Sequence, residues 1–226
     1  MLGTYGDGGN VHVLHHRLSW RGIPSEVVPI PLGTPVPTGI DLLILGGGED
    51  DAQSRVAADL ARFLPPVLAS GTVVFAVCAG LQLLGHSFET ASGSTVAGAG
   101  VLDLTTTAGQ RRAIGEVVAL PADPELPMLT GFVNHGGMTL LGDAARPFAR
   151  VRRGPTNHPL SRDDGAVQGS IVATYLHGPV LARNPALADH LLERSTGLQL
   201  EPLPDREVAR LRSERLAPRR WFARRQ

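Results

Sequence analysis

The chain alternates short apolar runs with segments whose apolar residues recur at helical spacing. Continuous apolar runs are typical of strands buried on both faces, and a spacing of three or four residues is typical of amphipathic helices. The runs predict strands at Ser25–Ile30, Asp41–Leu45, Thr72–Val77, Gly100–Val118, Gly131–Leu141, Phe148–Arg152 and Ser170–Tyr175. The spacing predicts helices at Asn10–Trp20, Asp51–Leu68 (disturbed at Pro65–Pro66), Cys78–His86, Pro185–Arg194 and Val208–Leu216. This alternation predicts an α/β fold with a mainly parallel sheet and helices on both faces.

Length and composition predict a single domain. The 226 residues can bury one sizeable core, and no linker divides them, so we expect a domain over residues 1–200 and a helical tail over 201–226. The arginines of that tail could contact a phosphate or a partner, but we expect a solvated terminal helix. Basic and acidic residues number 21 each, so the chain has no excess of positive charge that would indicate nucleic-acid binding. Without a signal peptide or a membrane span, the sequence predicts a cytoplasmic protein.

The only cysteine, Cys78, stands where an apolar β-rich run ends and a helical pattern begins. Small residues, Ala76 and Gly80, flank it at two positions on either side, as a sharp strand-to-helix turn requires. Such a nucleophile elbow lifts a side chain above the end of a sheet. The helix N-terminus would lower the thiol pKa from about 8.5 toward neutrality, and the N–H of Ala79 would point at an oxyanion. A buried, inert cysteine is the alternative.

Three glycines, Gly46–Gly48, directly follow another predicted strand. Glycines let backbone N–H groups approach a ligand closely. A Walker A loop is excluded because no Gly-Lys-Ser/Thr follows, and a dinucleotide fingerprint fails on spacing. The segment therefore predicts an oxyanion or anion site beside the elbow, although a glycine triplet alone can be a simple turn.

A histidine, His177, ends the last predicted strand and is followed at once by Gly178-Pro179. Active sites of α/β proteins gather at the C-terminal ends of strands, and a Cys–His pair is the usual way to make a thiolate nucleophile at neutral pH. His135 is the other candidate. No pair of residues has zinc-ligand spacing with the cysteine, so we expect no metal site.

The order of these motifs resembles class I glutamine amidotransferases, and within them the cobyric-acid-synthase-like branch. Four segments extend the likeness to the GatD-type glutaminase subunits of lipid II isoglutaminyl synthase: Tyr5–Asn10, Gly46–Asp50, Arg112–Gly115 and Asn134–Gly137. The likeness runs from Tyr5 to about Gly197. It implies a flavodoxin-like three-layer sandwich.

The resemblance also implies a mechanism. Cys78 would attack the side-chain amide of L-glutamine, and His177 would take the thiol proton and pass one to the departing ammonia. The N–H groups of Gly48 and Ala79 would hold the oxyanion.

Two further residues are implied in substrate binding. Arg112 would clamp the glutamine α-carboxylate, because a guanidinium fork matches that group, with neighbouring Arg111 as the alternative. Gln82 would line the pocket or tie the elbow to a neighbouring loop. Asn134 and His135 would shape the rim.

The implied partner is a Mur-ligase-like (MurT-type) subunit in a heterodimer. It would use the ammonia to amidate the D-glutamate α-carboxyl of the lipid II stem peptide to D-isoglutamine. This chain has no nucleotide motif, so we expect no cofactor here and ATP and Mg on the partner. Amidation of corrinoids and a non-catalytic binding module stay open as alternatives.

Two departures from the family pattern matter. Most class I amidotransferases carry a carboxylate two residues after the histidine, where this chain has Pro179. The sequence therefore predicts a dyad without an orienting acid, and a partner that supplies or orders this group and raises a low basal activity. Second, about five residues before the first helix are too few for a full strand, so we expect the first strand to be missing or to lie upstream of Met1.

Overall fold

The computed structural model describes residues 7–48 and 50–217, except for the side chains of residues 50–52. The helices are α1 (Gly8–Ser19), α2 (Asp50–Ala69), α3 (Ala79–Leu84), α4 (Val180–Arg183), α5 (Pro185–Thr196) and α6 (Arg206–Leu216). The strands are β1 (Leu42–Leu45), β2 (Val73–Val77), β3 (Ser87–Glu89), β4 (Thr95–Ala97), β5 (Leu104–Pro121), β6 (Leu129–Leu141), β7 (Ala149–Arg153), β8 (Asp163–Asp164), β9 (Ala166–Gln168) and β10 (Ile171–Thr174).

A four-stranded sheet in the order β1-β2-β10-β9 forms the centre of the α/β fold. Strands β1, β2 and β10 run parallel, and Ala76 pairs with both Leu45 and Ala173, so the three strands end at one edge. Helices α3 and α5 both contact β1 and β2; α2 packs on α3, and α1 and α4 pack on α5. Every residue of β2 is buried, as expected for a strand covered on both faces. The predicted fold class is confirmed.

A second sheet of six strands, in the order β4-β3-β5-β7-β8 with β6 paired to β5, is mainly antiparallel. Its centre is the long β5–β6 pair, whose register shifts between Ala108 and Ala113. An isolated bridge joins the two sheets: His177 N donates to Phe132 O (2.7 Å) and Phe132 N to His177 O (3.1 Å). The second sheet therefore fixes the backbone at the end of the first.

Two predicted elements differ from the structure. Ser25–Ile30 is not a strand; Pro24 and Pro29 lack the N–H that a ladder needs, and these residues are mostly exposed. Helix α2 continues through Pro65 and Pro66, where a disturbance is predicted; both prolines lie on its exposed side, while Leu64 and Val67 are fully buried. The expected first strand falls on residues 1–6, outside the described residues. No helix in the described part of the chain combines the length and hydropathy needed to cross a membrane.

Buried ion pairs tie α1 to the end of the chain. The Arg17 guanidinium, 4% exposed, donates to both oxygens of Asp189 (2.7 and 2.6 Å) and of Asp205 (3.1 and 2.9 Å). Helix α6 buries no residue, but Arg212 donates to Met128 O and to Asn184 Oδ1. The C-terminal segment is therefore attached to the body through arginines.

Candidate active site

Cys78 forms the predicted elbow between β2 and α3. Its backbone (φ 53°, ψ −105°) is the only positive-φ conformation of a non-glycine residue in the described chain. The turn is held by a hydrogen bond from Cys78 N to Thr174 O (2.8 Å). A β-carbon at Gly80 would lie 2.6 Å from Leu45 O, so only glycine fits beneath the turn. Strain of this kind persists where surrounding structure enforces it, typically at functional sites.

His177 lies beside this elbow, as predicted. Its Nδ1 is 2.9 Å from Asp7 Oδ1 and 3.0 Å from Asp7 Oδ2, which leaves Nε2 as the ring nitrogen available to Cys78. Burial by itself lowers the pKa of His177, but hydrogen bonds to Asp7 and Cys78, and their charges, outweigh it and raise the pKa to about 9. The imidazole is therefore protonated at neutral pH.

Asp7 corrects the prediction that the chain offers no orienting acid. The residue sits at the N-terminus of α1, is 1% exposed, and accepts a hydrogen bond from Gly47 N through Oδ2 (2.9 Å). Pro179, which occupies the expected acid position, instead packs where a β-carbon at Gly9 would lie 2.4 Å from its Cγ. This close packing brings the start of α1 against the histidine. The acid therefore reaches His177 from a position 170 residues away.

The glycine loop touches all three residues. A β-carbon at Gly47 would lie 2.9 Å from Asp7 Oδ2, 3.3 Å from His177 Cε1 and 3.7 Å from Cys78 Cβ. Because Gly47 N already donates to Asp7, Gly48 N is the next donor along this loop. On the other side, Ala79 begins α3, where first-turn N–H groups have no acceptor within the helix. The two N–H groups predicted to hold the oxyanion thus belong to the glycine loop and to the first residue of α3, and their role stays a prediction.

Gln82 ties the elbow to the end of β10. Its Nε2 donates to the hydroxyl of Tyr175 (3.1 Å), which also contacts Thr139 Oγ1 (2.6 Å), itself 2.8 Å from Thr106 Oγ1. Burial raises the pKa of Tyr175, so the phenol stays neutral. The amide of Gln82 therefore has a structural partner, and its contact with substrate stays a prediction.

Arg112 and His135 lie at the β5–β6 pair. Arg112 donates from Nε to Asn134 Oδ1 (2.9 Å) and from Nη2 to Asn134 O (3.1 Å), which fixes the guanidinium at the rim. His135 stacks on Tyr175 with ring centroids 3.8 Å apart, and its Nδ1 contacts Gly137 O (2.8 Å). Burial, with the nearby charges of His177 and Arg112, lowers the pKa of His135 to about 4, so its ring is neutral. The choice of Arg112 over Arg111 as the carboxylate clamp stays a prediction.

The residues around Cys78 do not form a metal cluster within the described part of the chain. There, the one group of three residues with ligand atoms within 4.8 Å of one another is Asp123, Glu125 and His190. Exposed acidic groups of this kind are common without an ion.

Solved structures share the fold at low sequence identity. A crystal structure of a glutamine amidotransferase matches 83% of this chain and 94% of its own, with a TM-score of 0.57 and 19% identity. A glutamine amidotransferase from Thermotoga maritima matches 90% of this chain and 86% of its own, with a TM-score of 0.54 and 18% identity. These matches establish the architecture.

Sequence comparisons identify the family. The chain is 30% identical over 208 residues to the GatD subunit of the glutamine-hydrolysing lipid II isoglutaminyl synthase of Staphylococcus aureus, covering 89% of this chain and 84% of that one. The corresponding Streptococcus pneumoniae subunit is 32% identical over 197 residues, 85% of this chain and 75% of that one. A cobyric acid synthase of Beijerinckia indica is 34% identical over 172 residues, 70% of this chain but 32% of its own length. Residues 1–185 match the model of the CobB/CobQ-like glutamine amidotransferase domain, and the chain belongs to that family.

Proposed function

We propose that this chain is the glutaminase subunit of a lipid II isoglutaminyl synthase. The observation that carries the proposal is the arrangement of Cys78, His177 and Asp7, in which an elbow cysteine faces an imidazole held by a buried carboxylate. The relatives named GatD, matched over most of both chains, supply the reaction in which such a site would serve.

The chemistry begins with the proton already on His177. His177, beside the thiol, holds the proton of Cys78 while the sulfur attacks the side-chain carbonyl carbon of L-glutamine. The N–H groups of Gly48 and Ala79 stabilise the tetrahedral oxyanion; one such donor can contribute about 10²–10³ in rate. His177 then protonates the nitrogen, the C–N bond breaks, and ammonia leaves a γ-glutamyl thioester.

Water completes the cycle. Neutral His177 removes a proton from water as the water oxygen attacks the thioester carbon. The C–S bond then breaks, glutamate leaves, and the proton stays on His177 for the next cycle. Asp7 holds the ring in one orientation and stabilises its charged form throughout. Both half-reactions therefore use the same three side chains.

Substrate recognition is assigned to the rim. The fork of Arg112, fixed by Asn134, binds the α-carboxylate of glutamine. Gln82, whose amide nitrogen donates to Tyr175, lines the pocket. The ammonia goes to a Mur-ligase-like subunit that holds ATP and Mg and amidates the D-glutamate α-carboxyl of lipid II.

A corrinoid amidation is the second candidate, favoured by the likeness to cobyric acid synthase. The match covers 32% of the length of that protein.

Ammonia release from L-glutamine tests the proposal. The assay uses the chain alone and co-expressed with a Mur-ligase-like subunit, lipid II or a corrinoid as acceptor, and Cys78→Ala as the blank. Ammonia that depends on Cys78, together with amidation of lipid II, is the expected result. Amidation of the corrinoid alone would favour the second candidate. No release from a folded chain in either preparation would contradict both.

A further inference from the structure

A second buried carboxylate, Asp164, lies against the end of β10, three residues before His177. Its Oδ2 accepts a hydrogen bond from Thr174 Oγ1, and its Oδ1 accepts one from Tyr175 N (3.2 Å). The same Thr174 Oγ1 accepts a hydrogen bond from Leu176 N (3.0 Å). One carboxylate therefore fixes the three consecutive residues that precede His177.

The turn that presents Asp164 is itself held by buried polar contacts. Gly165 has φ 67°, and a β-carbon there would lie 2.1 Å from Ala173 O, so no larger residue fits. The side chain of Asn157, 2% exposed, accepts from Gly165 N (2.8 Å) and donates to Gly165 O (3.0 Å). A buried amide therefore locks the turn in the one position from which Asp164 reaches β10.

Burial of the Asp164 carboxylate destabilises its ionised form. Burial raises the pKa of Asp164 to about 6, although hydrogen bonds from Thr174 and Tyr175 and the charge of His177 act in the opposite direction. Above that pH the ionised group costs folding free energy relative to a neutral one. Asp164 is thus a poor choice for stability alone.

The residues that Asp164 binds also contact the elbow. Thr174, which donates to Asp164, offers its carbonyl to Cys78 N (2.8 Å). Tyr175, whose N–H binds Asp164, holds Gln82 through its hydroxyl (3.1 Å). The Asp164 carboxylate, which belongs to the six-stranded sheet, therefore braces the elbow and the histidine strand of the four-stranded sheet together.

We propose that Asp164 is a positioning residue for the glutaminase reaction: through Thr174 and Tyr175 it holds the end of β10 so that His177 faces Cys78. This role rests on the proposed function. Asp164 makes no contact with substrate in it and acts only through the backbone of residues 174–176. Removing its hydrogen bonds should loosen His177 relative to the thiol, which lowers the rate of the chemical step more than substrate affinity.

The test compares Asp164→Asn with Asp163→Asn, a matched change one residue earlier on β8 where the side chain is only half-buried. The chain, purified with its partner, is assayed for kcat and KM for L-glutamine and for the rate at which iodoacetamide alkylates Cys78 between pH 5 and 9. We expect kcat to fall about 10- to 100-fold in Asp164→Asn, KM to change less than about threefold, and the pH midpoint of alkylation to shift. Asp163→Asn should match the unsubstituted chain in all three.

A second pair keeps the proposal testable if Asp164→Asn does not fold. Thr174→Val removes the hydroxyl that Asp164 binds, whereas Thr174→Ser keeps it. Loss of kcat in Thr174→Val with recovery in Thr174→Ser supports the positioning role. Unchanged kcat and an unchanged alkylation profile in folded Asp164→Asn, or in Thr174→Val, would overturn it. The alkylation measurement needs no glutamine, so it separates this outcome from failure of the proposed function, which would appear as a native chain that releases no ammonia.

Discussion

Helix α1 carries a buried charge near each end, and the two are used differently. Asp7 at its start and Arg17 near its end are 1% and 3% exposed. Asp7 pairs with His177, a group that changes its protonation during the proposed reaction. Arg17 pairs with Asp189 and Asp205, which take no part in the proposed reaction. We therefore expect the first end of the helix to govern activity and the other end to govern stability.

The largest effect is expected from Asp7→Asn. An amide cannot stabilise the imidazolium and favours the wrong tautomer of His177, so kcat/KM for glutamine should fall about 10³–10⁴-fold, as when the acid of a catalytic triad is replaced. The measurement is ammonia release per folded molecule. A rate within threefold of the unsubstituted chain would remove Asp7 from the catalytic arrangement.

Arg17→Met should lower the stability of the fold rather than its activity. The change removes the buried charge that Asp189 and Asp205 share, although Asp189 keeps its contact with Arg21 (2.9 Å). We expect a cost of about 3 kcal/mol in the free energy of unfolding. Urea unfolding measures it, with exposed Arg55→Met as the control. Activity per folded molecule should be retained; a large loss of kcat without loss of stability would contradict the division between the two ends.

Gly47→Ala should disturb the pairing of Asp7 with His177 by steric crowding. The added β-carbon would lie 2.9 Å from Asp7 Oδ2 and 3.3 Å from His177 Cε1, so the pair must separate. We expect kcat/KM to fall at least about 10²-fold, the range attributed to a small misplacement of catalytic groups. Gly8→Ala is the matched control, since a β-carbon there meets nothing within 4 Å. Equal activity of the two variants would show that the loop tolerates the methyl group.

The pH dependence of stability sharpens the comparison. The pKa of His177 is raised from 6.5 to about 9, so its pairing with Asp7 stabilises the fold fully below pH 6.5 and loses this contribution as the pH rises through 9. The stability difference between the unsubstituted chain and Asp7→Asn should therefore narrow between pH 6.5 and 9.5. The deficit of Arg17→Met should stay constant over the same range. Parallel curves for both variants in urea unfolding would count against a raised histidine pKa.

The smallest effect belongs to Asp205→Asn. The Asp205 side chain is 28% exposed, and Asp189 still neutralises Arg17 after the change. We expect a loss of about 1 kcal/mol in the free energy of unfolding, typical of a partly exposed pair. Thermal unfolding alongside Asp189→Asn measures it, and a larger loss in Asp205→Asn than in Asp189→Asn would reverse the assigned order.

Local sequence patterns predict the places of Cys78, His177 and the glycine loop in the chain. Cys78 directly follows β2 and His177 lies three residues after β10, and their meeting follows from the common edge of these parallel strands. The glycine loop was predicted for the same reason. Asp7 was missed as an orienting acid because it comes from a helix start 170 residues away, although it lies inside the quoted Tyr5–Asn10 motif. Packing of Gly9 against Pro179, which a linear pattern does not reveal, makes that contact.

For the sheets too, the sequence predicts strands but not the way in which they pair. Apolar β-forming residues predicted strands around Gly100–Val118 and Gly131–Leu141, but the shift in their register and the bridge from Phe132 to His177 depend on tertiary pairing. Ser25–Ile30 has suitable residues for a strand but pairs with no strand among the described residues. Asp164 gave no signal because a carboxylate in a polar loop is usually exposed, and only the fold turns it under β10.

Covalent capture of Cys78 tests the central claim most directly. The isolated chain is treated with 6-diazo-5-oxo-L-norleucine, a glutamine analogue that alkylates nucleophilic thiols, and its intact mass is followed over time; Cys78 is the only cysteine. The account predicts one adduct, blocked by L-glutamine but not by D-glutamine, and formed far more slowly in Asp7→Asn. Labelling that L-glutamine does not block, or that proceeds equally fast in Asp7→Asn, would contradict it.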